Sequence, residues 1–188
     1  MCVEMPTHPR FVVDSMLGHV ARWLRLLGYD TLYFRSMEDW KLLRIAEEDA
    51  RILLTRDLGL FRRARRRGIQ ALFIEDPAIE KVLALLSIKY GIRLEFDKND
   101  TRCPVCNGVL RYTTSLIDVA GKVDERIATT YKEFWICTSC GKVYWQGSHW
   151  KSINKILELA RYEKAKMLSR LRPREIPLTA SESEGEAL

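Results

Sequence analysis

Apolar and polar positions in the first half of the chain follow two alternating periods. The run RFVVD at 10–14 is short, apolar and closed by Asp14. MLGHVARWLRLLG at 16–28 then sets Leu17, Val20, Trp23, Leu24 and Leu27 at helical spacing and stops at Gly28. TLYFR at 31–35 predicts a second strand, followed by a helix to about Ala50 that carries Trp40, Leu43, Ile45 and Ala46. Ser36 and Asp39 have the spacing of a capping box at its start. ILLTR at 52–56, LGLFRRARRRG at 58–68, IQALFIE at 69–75 and a helix at 78–91 opened by Pro77 complete the series. Strands separated by single helices predict an α/β domain over 10–93, a parallel sheet flanked by helices, because parallel neighbours need crossover connections.

Beyond the polar linker LEFDKND at 94–100 the pattern changes. Strand-like runs at 102–114 and 130–147 surround four cysteines, and the stretch between them, 113–130, is expected to form a hairpin excursion. Together 101–147 predict a small β-rich ribbon. A long amphipathic helix at 148–171 follows, with Ser148 as candidate N-cap and Ile153, Ile156, Leu157, Ala160 and Met167 facing a partner surface. The segment 174–188, REIPLTASESEGEAL, is polar, acidic and aperiodic, which predicts a disordered tail.

Hydrophobic residues make up 47% of the 188, enough for one good core and a small second module. No apolar run approaches the ~18 residues that span a bilayer, and the N-terminal residues lack a signal-peptide core, so a cytoplasmic protein without membrane association is expected. Charge is uneven: 1–97 balance at +2, 98–173 at +7 and 174–188 at −3, making up the net +6. The middle is where a polyanion would bind, although four thiolates and a zinc ion would together lower its local charge.

Cys103-Pro-Val-Cys106 and Cys137-Thr-Ser-Cys140 are two C-x-x-C pairs with 30 residues between them. Each pair supplies two thiolates from a tight turn, and Asn107-Gly108 and Gly141 tolerate the positive φ such turns need, so a four-thiolate zinc site is expected. A redox role fits poorly, since neither pair opens a helix after a strand. Cys2 is left over. Arg111 and Lys142, with Tyr131, Trp135, Tyr144 and Trp145 interleaved, suit phosphate contacts and base stacking; the same aromatics also suit the ribbon's own core. His149 is a candidate ligand or catalytic group, although the cysteines already fill a four-ligand site.

Asp14 and Asp57 both fall at carboxyl ends of predicted parallel strands, where ligands of such sheets bind. A lone Asp there is ordinarily a turn or cap residue, but two of them at adjacent strand ends suggest a shared site. Glu38 and Asp39 offer a third acid, and Glu75 and Asp76 compete for a fourth. Gathered carboxylates repel one another and call for a cation, and oxygen-only ligands select Mg²⁺ or Mn²⁺. The arginines Arg62, Arg63, Arg65, Arg66 and Arg67 fit either a solvated helix face or a track for phosphates, with Arg62, Arg65 and Arg66 the candidate contacts.

Asp14-Ser-Met-Leu-Gly18, Ala21-Arg-Trp-Leu-Arg25, Gly28-Tyr-Asp30-Thr31, Leu54-Thr-Arg-Asp57, the cysteine pairs and Tyr144-Trp-Gln-Gly-Ser-His-Trp150 resemble the Mut-seven C-terminal RNase domain family over about 10–155. The resemblance implies a PIN-like nuclease fold with a zinc ribbon. It also implies a metal-dependent ribonuclease, an endonuclease acting on RNA, whose acids are Asp14, Asp39 and Asp57. Asp76 or Glu75 is the looser match for a fourth acid, Asp30 a further one, and Thr55 resembles the hydroxyl residue before the strand-end acid. The competing reading is a catalytically idle adaptor that binds RNA, a ribosome or another protein. A phospho-receiver domain is disfavoured, because no Lys stands at the end of a fifth strand.

Overall fold

The computed structural model describes residues 8–171, so Cys2 and the expected acidic tail lie outside the described residues. Strands β1 (Phe11–Val13), β2 (Thr31–Tyr33), β3 (Ile52–Thr55) and β4 (Ala71–Phe73) form one parallel sheet in the order β2-β1-β3-β4. A 3-10 turn at Ser15–Leu17 leads into α1 (Gly18–Leu26); α2 (Asp39–Glu48), α3 (Leu58–Arg66) and α4 (Ile79–Tyr90) complete the crossovers. Every strand and helix expected in 10–93 is present, shortened at its ends. The capping box is not. Glu38 is the last extended residue, Asp39 is already helical, and no side chain caps α2.

Both faces of the sheet are covered, as purely parallel sheets require. Phe11, Val13, Ile52 and Leu54 point to α1 and α4, whereas Val12 and Leu53, one residue out of phase, point to α2 and α3. The long helix α7 (His149–Leu171) supplies what its apolar stripe predicted. Its partner is α4: Leu157 and Ala160 enter the main core, and Lys164 donates to Ser87 Oγ at 2.9 Å.

The second module is an antiparallel sheet of β5 (Leu110–Thr113), β6 (Phe134–Cys137) and β7 (Val143–Trp145). The stretch expected as a hairpin instead forms two short helices, α5 (Leu116–Val119) and α6 (Glu125–Thr130). Local chemistry explains the difference. Asp118 is held by Thr113 Oγ1 at 2.7 Å and Arg111 at 2.9 Å, which folds α5 back on β5, and Asp124 accepts from the Arg126 N–H to start α6. Val119 thereby joins Phe134 and Ile136 in a small core.

The ribbon docks on the first module at one defined place. Arg25, only 5% exposed, donates to Thr31 O at 2.9 Å and to Pro104 O and Val105 O at 3.1 and 3.0 Å. Asn107, at φ 70°, accepts from the Thr31 N–H at 3.0 Å and donates to Asp30 at 2.7 Å. Asp30 and Thr31 sit at the amino edge of β2, so the first cysteine turn lies at the end of the sheet opposite Asp14 and Asp57. Asp30 therefore does not join the other acids; it pairs with Arg51 at 3.0 Å and anchors the ribbon.

Candidate active site and four-cysteine centre

Asp14 leaves β1 with its backbone N–H still bonded to Leu54 O at 3.0 Å, which extends the β1–β3 ladder by one residue. It is 7% exposed. Its Oδ2 accepts from Thr55 Oγ1 at 2.7 Å and its Oδ1 from Ser15 Oγ at 3.1 Å. The fully buried Thr55 hydroxyl also accepts from the Asp57 N–H at 2.9 Å. One hydroxyl thus ties the two strand-end acids together, donating to one and accepting from the backbone of the other. Asp57 then caps α3, accepting from the Leu60 N–H at 2.7 Å. The strand order reverses direction between β1 and β3, so this pair stands at the topological switch point of the sheet.

The other two acids stand apart from this pair in their bonding. Asp39, exposed on the first turn of α2, is paired with Arg63 of α3. Asp76, beyond β4, is bonded to Lys81 at 2.6 Å and to the Ala78 N–H at 2.9 Å, which together hold its carboxyl below the usual carboxylate range. Glu75 beside it is exposed. Among the described residues, Asp14 and Asp57 have no Lys or Arg ion pair, and the four cysteines are the only group of three or more His, Cys, Asp or Glu close enough to share an ion.

Of the arginine run on α3, Arg63 and Arg67 are engaged by Asp39 and Glu47, whereas Arg62, Arg65 and Arg66 are exposed without an ion pair among the described residues. Arg111 is taken by Asp118, and Lys142 is exposed. Sequence reasoning passed over Arg35 and Arg56, both exposed at the carboxyl ends of β2 and β3. Their signal was their place beside the strand-end acids. It also passed over Trp40 as a surface group: at 55% exposed it faces solvent one residue after Asp39.

In the ribbon, all four Sγ atoms lie within 4.8 Å of one another, with Cys103 to Cys140 at 3.7 Å and Cys106 to Cys137 at 3.4 Å. A disulfide would need about 2.05 Å. Corners of a tetrahedron drawn at the ~2.3 Å zinc–sulfur distance stand about 3.8 Å apart, so the set fits zinc. Backbone N–H groups of Cys106 and Cys140 approach Cys103 and Cys137 at 3.5 and 3.4 Å, and Asn107 and Gly141 take the expected positive φ. Burial and the neighbouring thiols push Cys106 up to about 12; at Cys103 burial is outweighed by the Tyr144 hydroxyl and backbone donors, which bring it to about 7. Four thiols so close cannot ionise together without a cation. His149 lies outside the cluster, exposed at the start of α7.

The Mut7-C RNAse domain profile matches residues 9–157, from just before β1 into α7. The chain belongs to the Mut7-C RNase domain family. Both the acidic rim and the four-cysteine centre of this Mut7-C domain fall inside the matched region. RNA is the substrate the family name implies. Searches among curated proteins and among solved structures gave no match. Among the described residues, no helix is long and apolar enough to cross a membrane.

Proposed function

We propose that this Mut7-C domain is a metal-dependent endoribonuclease in which Asp14, Asp57 and Asp39 hold Mg²⁺ or Mn²⁺, Asp76 is the fourth acid of the rim, and the four cysteines hold a structural zinc. The observation that carries the reading is the Asp14–Thr55–Asp57 arrangement at the switch point. A carboxylate as buried as Asp14, met only by hydroxyl donors, lacks the cation that would offset its desolvation, and its donor set is all oxygen. A divalent ion bound there would activate water and stabilise the leaving oxygen of a phosphodiester. The protein's own part is positional. Thr55 fixes Asp14, Arg35 and Arg56 attract phosphate, and Asp39 joins by releasing Arg63. That half-exposed pair is worth only ~0–1 kcal/mol, so its opening is easy.

The test is cleavage of single-stranded and structured RNAs with Mn²⁺ and with chelator. Asp14→Asn and Asp57→Asn should each abolish metal-dependent cleavage while preserving the fold and RNA binding, since neutralising one acid also relieves repulsion. Wild-type rates in either variant would end the two-acid reading. An RNA-binding adaptor with an idle rim is favoured by one observation, the engagement of Asp39 and Asp76 by basic side chains. Absence of Mn²⁺ binding at the rim in a titration would favour it.

A further inference from the structure

An open cavity of about 640 Å³ lies between α1, the ribbon sheet and the start of α7, and the acidic rim makes no use of it. Its size is within the roughly 300–1,000 Å³ of sites that enclose small ligands. Trp23, Tyr131, Trp145 and Trp150 line it, each half-buried. Tyr131 and Trp145 lie with centroids 6.2 Å apart at 39°, and Phe96 braces Trp150 edge-on at 4.6 Å. Arg22 and His149 are exposed at the cavity, and no Asp or Glu lines it. Lys132, Lys142 and Lys151, all exposed, are sequence neighbours of lining residues, as are Glu95, Asp97 and Asp100.

We propose that this cavity receives one or two unpaired bases of the RNA, stacked on its aromatic rings, with the adjoining phosphate met by Arg22. The inference rests on RNA being the substrate. Partly exposed aromatic side chains accept any base, and a lining that holds Arg22 and no carboxylate suits a flat apolar group carried on a polyanion. Placement supports it as well. α1 begins beside the acidic rim, and Arg22 is one helical turn beyond Gly18, about 6 Å along the axis. A strand leaving the rim along α1 reaches the cavity.

The test uses the full chain without added Mg²⁺ or Mn²⁺, titrated with a short unstructured oligoribonucleotide and with an abasic strand of equal length. Wild-type tryptophan fluorescence should quench, and the abasic strand should bind about tenfold more weakly or worse. Trp145→Leu, which keeps an apolar side chain but removes the ring, should weaken the base-bearing strand about tenfold and leave the abasic strand unchanged. Equal affinity of the two strands for wild type, which needs no variant to fold, would overturn the proposal. So would quenching by an apolar peptide and not by RNA, which marks a protein-docking surface. Cleavage by Asp14→Asn separates the two readings. An inactive Asp14→Asn with no base dependence removes the cavity and keeps the rim; an active one with base dependence removes the rim and keeps the cavity.

Discussion

At the residue scale, Thr55 and Asp30 are where small changes should speak most clearly. Thr55→Val keeps the shape of a buried side chain but removes the donor to Asp14 and the acceptor for the Asp57 N–H. A buried group left unpaired costs about 1–3 kcal/mol, so the variant should unfold at lower denaturant, whereas Thr55→Ser should stay close to wild type. Equal midpoints for Val and Ser would show that the hydroxyl carries no weight. Asp30 adds a pH signature. Burial pushes its carboxyl up, but hydrogen bonds from Arg51 and Asn107 outweigh burial and hold it below the usual range. A carboxylate depressed by folding adds stability that is present above its unfolded value of about 3.9 and is lost as pH falls through the folded value. Asp30→Asn should therefore be destabilising at neutral pH by about 1–3 kcal/mol, with the gap to wild type narrowing below about pH 4. Denaturant melts at the two pH values decide it, and a gap that stays constant would refute the linkage. The sequence showed Asp14 and Asp57 plainly, because strand-end acids follow from strand periodicity. Nothing in it showed the Arg25–Asn107–Asp30 clamp, since those bonds join segments whose meeting is set only by the folded chain.

The elements divide in the same way. The four strands and four helices of the first module follow from apolar spacing alone, since each covers one sheet face with a regular stripe. The 113–130 excursion reads as a hairpin because α5 and α6 are too short to display a period. Asp118 and Asp124 bonds, not an apolar face, make them helical. The cysteine pairs were readable from spacing, and the ribbon's dependence on them can be measured. Its cores are small clusters around Trp135 and Phe134. A module of that size would rely on a metal bound by its four cysteines to stay folded. Protein purified without chelator should hold one zinc per chain, and Cys103→Ser should lose it and become open to protease within 101–147. The far-ultraviolet helical signal of α1 to α4 should survive. Zinc-free wild type, or a Cys103→Ser variant as protease-resistant as wild type, would remove the metal from the ribbon's fold.

Across the whole molecule, the two basic regions lie on different sides of the sheet. α3, with Arg62, Arg65 and Arg66, covers one face beside α2, while the ribbon docks at the amino edge and α1 and α4, backed by α7, cover the other face. RNA that bridges the two grips by way of the carboxyl rim, the edge where α1 and α3 both begin, would pass Asp14 and Asp57. Arg35 and Arg56 are exposed at that rim. Replacing Arg62, Arg65 and Arg66 with Ala should weaken RNA binding and flatten log K against log salt. Single strands release about 0.7 counterion per phosphate contact, so three lost contacts change the slope by about 2. Lys142→Ala should shift it by less than one contact of that series, and Arg111→Ala by less again, because Arg111 already spends its charge on Asp118. Sites this far apart share no partner, so the losses from α3 and from the ribbon should add. An α3 triple variant that binds with an unchanged slope would leave the ribbon as the sole grip, at the far end of the sheet from Asp14 and Asp57. Only Arg35 and Arg56 would then be left to bring a phosphate to the rim, and unchanged RNA binding on replacing these two with Ala as well would turn the preference to the adaptor.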